Sequence, residues 1–135
     1  MKYLLFFCVT FVACFACVDV VVETPPPEVT VAELANYKMK ILPDVPTSSV
    51  DVKLVIYEDC KYNKLIKVER NGSTIDIEKQ FNSMIMAPCM LTNDTIPIGK
   101  LPAGTYRVNY KLVDLSTVTQ IKTPVAIAFK LVVTN

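Results

Sequence analysis

The sequence contains no histidine and no tryptophan. Without histidine the chain lacks the usual acid–base group at neutral pH, the usual nitrogen ligand for zinc, and the middle member of a serine or cysteine triad. An excess of charge is lacking as well: 14 Lys and Arg stand against 13 Asp and Glu. Setting residues 1–17 aside removes only Lys2 and leaves 13 against 13. A near-neutral protein has no net field with which to hold a phosphate backbone, so no nucleic-acid partner is expected. Nor is there an apolar run long enough to span a bilayer. After Lys2 come about 14 mostly apolar residues, against the roughly 17 to 25 that a spanning helix needs.

That short run, with one positive charge before it and Asp19 soon after it, has the form of an export leader, assigned to residues 1–17. Phe11-Val12-Ala13-Cys14 and Cys14-Phe15-Ala16-Cys17 each put a small residue directly before a cysteine, as a bacterial lipobox does. Neither has the leucine that such a box most often carries three residues before the cysteine. Cys17 ends the apolar run and is the expected lipidation site, with Cys14 as the alternative; signal-peptidase cleavage near Ala16 is the competing reading. A lipidated chain touches the membrane through its anchor only. The expected address is an outer-membrane or cell-surface lipoprotein, with a secreted or periplasmic protein as the alternative.

Residues 18–27 end in Pro25-Pro26-Pro27 and read as a stiff linker, because proline fixes φ and lacks the backbone donor. The remaining residues, 28–135, are of single-domain length. Their first stretch, Val29 to Leu42, predicts a short helical turn and then a strand, and Leu42 to Ser49 a proline-rich loop. Val50 to Tyr57 alternates, with Val50, Val52, Leu54 and Ile56 inward and Val55 as the exception, before a polar link from Glu58 to Lys64. Asn71-Gly72 between two alternating runs is the strongest hairpin signal in the chain. A strand over Phe81 to Met86 follows, and Pro97 confines the run around Ile96 and Ile98 to a sheet edge. Tyr106, Val108, Tyr110 and Leu112 share one strand face, while Arg107, Asn109 and Lys111 share the other. Val125 to Val133 closes the domain with Val125, Ile127, Phe129, Leu131 and Val133 on one side. Seven or so strands with no long amphipathic helix predict an all-β fold, an antiparallel β-sandwich.

Two cysteines stand outside the leader, Cys60 and Cys89. In an exported chain such a pair is most simply a disulfide, closing a loop of about 30 residues for roughly 3 to 4 kcal/mol.

The leader, Cys60 after a strand, the Asn71-Gly72 hairpin, Cys89 and above all the run Ile96-Pro-Ile-Gly-Lys-Leu-Pro-Ala-Gly-Thr-Tyr-Arg-Val108 resemble the small immunoglobulin-like domains of exported Bacteroidetes-type bacterial proteins, many of them lipoprotein-like. The resemblance spans about residues 50–133. It implies an immunoglobulin-like sandwich and brings no catalytic set. Without any resemblance, Gly104 can take positive φ, Pro102 stiffens the turn, Leu101 reaches the core, and the Tyr106 hydroxyl is placed to bond a nearby carbonyl as a tyrosine corner does.

Few constellations suggest chemistry. Glu58 and Asp59, with Asp44 and Asp51, lack calcium-loop spacing and read as solvated turns. Asp76 and Glu78 share a strand face without an acid–base partner, and Ser48 and Ser49 have no base. Lys61, Lys64, Lys67 and Arg70 are balanced by Glu58, Asp59 and Glu69 in a mixed-charge edge. Asn71-Gly-Ser and Asn93-Asp-Thr match the glycan-acceptor pattern, which matters only in a eukaryotic source. Met84, Met86 and Met90 are either buried strand residues or an adaptable apolar patch rimmed by Tyr57 and Tyr62. No catalytic residue, cofactor or metal is expected. The expected function is a non-enzymatic accessory or binding module contacting a protein or glycan at the cell envelope. The alternative is a structural or assembly subunit acting through an exposed strand edge.

Overall fold

The computed structural model describes residues 24–60, 65–81, 91–115 and 125–135, Asp59 and Cys60 by their backbone alone. Eight strands and one 3-10 helix follow in order: β1 (Glu28–Val29), the helix (Ala32–Tyr37), β2 (Met39–Leu42), β3 (Val52–Cys60), β4 (Leu65–Asn71), β5 (Thr74–Phe81), β6 (Leu91–Gly99), β7 (Gly104–Asp114) and β8 (Ala126–Val133). They form a five-stranded sheet, β1-β8-β7-β5-β4, and a three-stranded sheet, β2-β3-β6. The fold is all-β with two sheets around one core, a sandwich-like arrangement.

Alternation builds that core. From the larger sheet Ile75, Ile77, Tyr106, Val108, Tyr110, Ile127, Phe129, Leu131 and Val133 turn inward; from the smaller come Met39, Ile41, Val52, Leu54, Ile56 and Ile96. Leu34 on the 3-10 helix is fully buried and joins them. A reciprocal pair of bonds starts that helical turn: the Thr30 amide donates to Glu33 Oε2 at 2.7 Å, and the Glu33 amide to Thr30 Oγ1 at 3.3 Å. Such a pair satisfies two donors that the first turn would leave unpartnered. Lys38, with φ 56°, ends the turn.

Several sequence expectations hold. The helical turn precedes a strand, the proline-rich stretch is non-strand over 43–49 apart from one bridge, Thr47 to Thr134, although Leu42 itself still pairs with Lys53 as the last residue of β2, and β6 with Pro97 lies at the edge of its sheet. Val55 is buried although it points away from the Leu54 face. Others are corrected. The larger sheet is mixed rather than antiparallel, because β1 runs parallel to β8 and β5 parallel to β7. The chain leaves β5, runs through β6 in the opposite sheet and returns in the same direction, and such a crossover makes parallel neighbours. Val50 is 45% exposed, since its amide closes a turn onto the Thr47 carbonyl and the strand begins at Val52. Glu58, Asp59 and Cys60 are strand rather than link. Between Ile56↔Asp94 and Asp59↔Thr92 the third strand carries one extra residue, a bulge that Glu58 enters with φ 52°. The hairpin is where Asn71-Gly72 places it, but Asn71 pairs with Thr74, so the two turn residues are Gly72 and Ser73. The strand expected beyond Phe81 lies outside the described residues.

The Cys60–Cys89 disulfide is also corrected: among the described residues no cysteine pair stands at disulfide distance. The ladder gives the place directly opposite Cys60 to Leu91.

Candidate functional site

The 3-10 helix and β2 lie against β3, and the contact leaves two clefts on either side of Tyr57. The Tyr57 amide donates to the Lys38 carbonyl at 2.8 Å, which sets the Tyr57 backbone beside the residue that ends the helix. The first cleft, about 490 Å³, is floored by Val31, Ala32, Ala35, Met39 and Ile41 and edged by Lys40, Asp44 and Tyr57. A 2.9 Å ion pair joins Lys40 to Asp44 across four residues. The hydrogen bond and the charge of Asp44 hold the Lys40 ammonium above its ordinary pKa. Tyr57 is 37% exposed, so its ring stands at the wall of an open depression.

The second cleft, about 340 Å³, lies on the other side of the ring, between Tyr37, Glu58, Leu112 and Val125, and reaches Lys79 and Tyr110. Lys38 and Glu58 form an ion pair at its mouth. Hydrogen bonding to Lys38 and then its charge keep the Glu58 carboxyl below the usual range. At the base, Lys79 is 2% exposed and its ammonium lies 3.4 Å from Asp94 Oδ2, a pair that joins β5 to β6 and therefore one sheet to the other. Burial pushes the Lys79 pKa down, against the pull of Asp94. Burial, with the Asp94 charge second, pushes the Tyr110 phenol up, so it stays a neutral hydroxyl through the physiological range.

Of the residues singled out from sequence, Tyr57, Asp44 and Glu58 are at this site. Tyr62, Met84, Met86, Met90, Cys89, Cys14 and Cys17 lie outside the described residues. The acidic residues do not converge: Asp44 pairs with Lys40, Glu58 with Lys38, and Asp76 accepts from Asn109 Nδ2 at 2.7 Å. Among the described residues no three His, Cys, Asp or Glu stand close enough to hold a metal ion. Ser49 Oγ lies 3.1 Å from Thr47 Oγ1, and the mixed-charge edge carries a 2.9 Å pair between Lys67 and Glu69.

Sequence reasoning missed Lys79. The signal was present, because Ile75, Ile77 and Lys79 share one strand parity and a lysine in an inward position asks for an anionic partner. Reading Asp76 and Glu78 on the opposite parity drew attention to the wet face. That Asp94 supplies the partner depends on the register of the other sheet, which no local pattern contains. No family model, curated protein or solved structure matches the chain.

Proposed function

We propose that this chain is a non-enzymatic, exported binding module of the cell envelope, an immunoglobulin-like sandwich tethered by a lipid on Cys17, or on Cys14, that contacts a glycan or protein through the Tyr57 cleft. The Tyr57 cleft carries the reading. An exposed aromatic ring, an apolar floor and a charged pair at the rim offer a sugar or an extended peptide one stacking face and several hydrogen bonds. The immunoglobulin-like assignment draws support from the tyrosine-corner bond of Tyr106 to Pro102 at the start of the penultimate strand. One departure stands against it: immunoglobulin sheets place strand C beside F, and here β5, the hairpin's second strand, holds that place parallel to β7.

The test has two parts. Intact mass of the full chain from membranes should show a diacyl or triacyl group on the N-terminal cysteine; an unmodified soluble chain would end the tether. Saturation-transfer NMR against a panel of neutral oligosaccharides should show binding that Tyr57→Ala removes without changing the circular dichroism. Binding that survives Tyr57→Ala would remove the cleft from the proposal.

A second reading, an assembly subunit, has its own observation. β4 forms an outer edge of the larger sheet and pairs with no described strand on its far side. Such an edge accepts another strand by backbone hydrogen bonding.

A further inference from the structure

The two long edges of the sandwich differ. β6 carries Pro97, which removes a donor, and a register shift between Val52↔Gly99 and Lys53↔Pro97 interrupts its ladder. β4 runs Leu65-Ile-Lys-Val-Glu-Arg-Asn71 with no proline, and its pairing to β5 is unbroken from Leu65↔Gln80 to Asn71↔Thr74. Leu65 is 62% exposed and Val68 37%.

The turn fixes which backbone groups face outward. A two-residue loop makes Asn71 and Thr74 the closing hydrogen-bonded pair, and hydrogen-bonded and non-bonded pairs then alternate along the hairpin. Asn71, Glu69, Lys67 and Leu65 therefore bond β5. Ile66, Val68 and Arg70 aim their N–H and C=O groups at the open side.

We infer that this edge pairs with the same edge of a second copy of the chain, antiparallel, with the two-fold axis at Val68. This register sets the outward-facing pairs Val68 to Val68, Ile66 to Arg70 and Arg70 to Ile66 in bonding position. On the solvent face it sets each Lys67 opposite the other copy's Glu69. The registers one residue to either side set Lys67 against Lys67 or Glu69 against Glu69, and like charges directly opposed are destabilising. Within one copy Glu69 stands opposite Asp76 and already pairs with its own Lys67 at 2.9 Å, and the second copy's Lys67 adds a further countercharge to this acidic spot. The edge is thus complementary to itself in one register, as a two-fold interface requires. This deepens the assembly reading by naming the partner and does not depend on the Tyr57 cleft.

Sedimentation of the full chain in density-matched nonionic detergent tests it, with circular dichroism to confirm folding. The wild type should sediment as a dimer. Lys67→Glu and Glu69→Lys should each raise the dimer dissociation constant about tenfold or more, since each replaces two attractive cross-strand pairs by two repulsive ones. The double variant Lys67→Glu with Glu69→Lys should return it to near the wild-type value. A monomeric wild type, single variants that dimerise as the wild type does, or a double variant no better than the singles would overturn the inference. Loss of oligosaccharide binding in Tyr57→Ala should leave the dimer intact, so failure of one reading is separable from failure of the other.

Discussion

The Tyr106 hydroxyl donates a 2.8 Å hydrogen bond to the carbonyl of Pro102, four residues back across the turn that starts β7. The ring itself is buried in the core, and the Arg70 guanidinium carbon lies 5.2 Å from its centroid while Arg70 Nη2 donates to the same hydroxyl at 3.4 Å. One side chain thus joins the core, the turn and the tip of the hairpin.

Tyr106→Phe keeps the ring and the Arg70 guanidinium over it, and removes the hydroxyl together with the bond it donates to Pro102 and the one it accepts from Arg70. The Pro102 carbonyl loses its donor in a partly buried position, and a loss of about 1 to 1.5 kcal/mol is expected. Urea unfolding checks this: the midpoint should fall while the slope stays constant, because the surface exposed on unfolding is unchanged. An unchanged midpoint would show that water replaces the bond at no cost.

Lys79 and Asp94 make a separate case, because they tie the sheets together through charge. Lys79→Met leaves the Asp94 carboxylate without that ammonium, and the Asp94 side chain is only 20% exposed. A loss of about 2 to 3 kcal/mol is expected, reduced from a fully buried pair by the water that reaches Asp94. Lys79→Met together with Asp94→Leu should recover most of it, since an apolar pair carries no desolvation cost. At alkaline pH the signs differ between neighbours. Burial lowers the Lys79 pKa, so folding gains as pH rises from the folded value towards the ordinary 10.5. Burial raises the Tyr110 pKa, so folding loses above its ordinary value of 10.0. Lys79→Met removes only the gain, and thermal unfolding from pH 8 to 11 should show a steeper alkaline decline in the variant.

What could be read from the chain beforehand follows from the range over which each force acts. Alternation in Tyr106 to Leu112 and Ile127 to Val133 is a local property of a pleated strand with one buried face, and it identified the strands that form the centre of the larger sheet. The edge position of β6 followed from Pro97, a missing donor visible in one residue. Strand neighbours were not legible, because whether β5 lies beside β7 or against β6 depends on the path of the whole chain. The bulge at Glu58 stayed hidden for the same reason, since an extra residue exists only relative to a partner strand. The Tyr57 site was half legible: an aromatic on the wet side of a strand stands in the sequence, whereas the floor of Val31, Ala35 and Met39 comes from a helical turn folding back on β2.

Gly72 offers a smaller and cleaner test of the hairpin. Its φ is 60°, and a Cβ there would meet nothing within 4 Å. Gly72→Ala therefore adds no clash and acts through backbone conformation alone, for a loss of about 1 kcal/mol. Chemical denaturation should show that loss. A larger one would mean that the β4–β5 register shifts, and it should then be accompanied by altered sedimentation.

Glu28 reports on the shortest strand. Its carboxylate lies 3.1 Å from Lys130 Nζ and 3.4 Å from Arg107 Nη1, so it joins β1 to both β8 and β7. The hydrogen bond from Lys130 and then its charge hold the Glu28 pKa below the ordinary 4.5, with Arg107 adding to the effect. The folded state therefore binds this proton less readily than the unfolded state. Its contribution is complete above the ordinary value and is lost as pH falls through the lowered folded one. Glu28→Gln should lower the melting temperature at pH 6, and the difference should close on acidification below pH 4 as the wild-type carboxylate takes up its proton. The group is open to solvent, so the gap at pH 6 should also shrink in about 1 M salt, where the Debye length falls to about 3 Å. The backbone bond from the Ala128 amide to the Pro27 carbonyl, 2.9 Å, does not involve the side chain and should keep β1 in place. A gap that persists at low pH and high salt would assign the loss to packing of the Glu28 methylenes rather than to its charge.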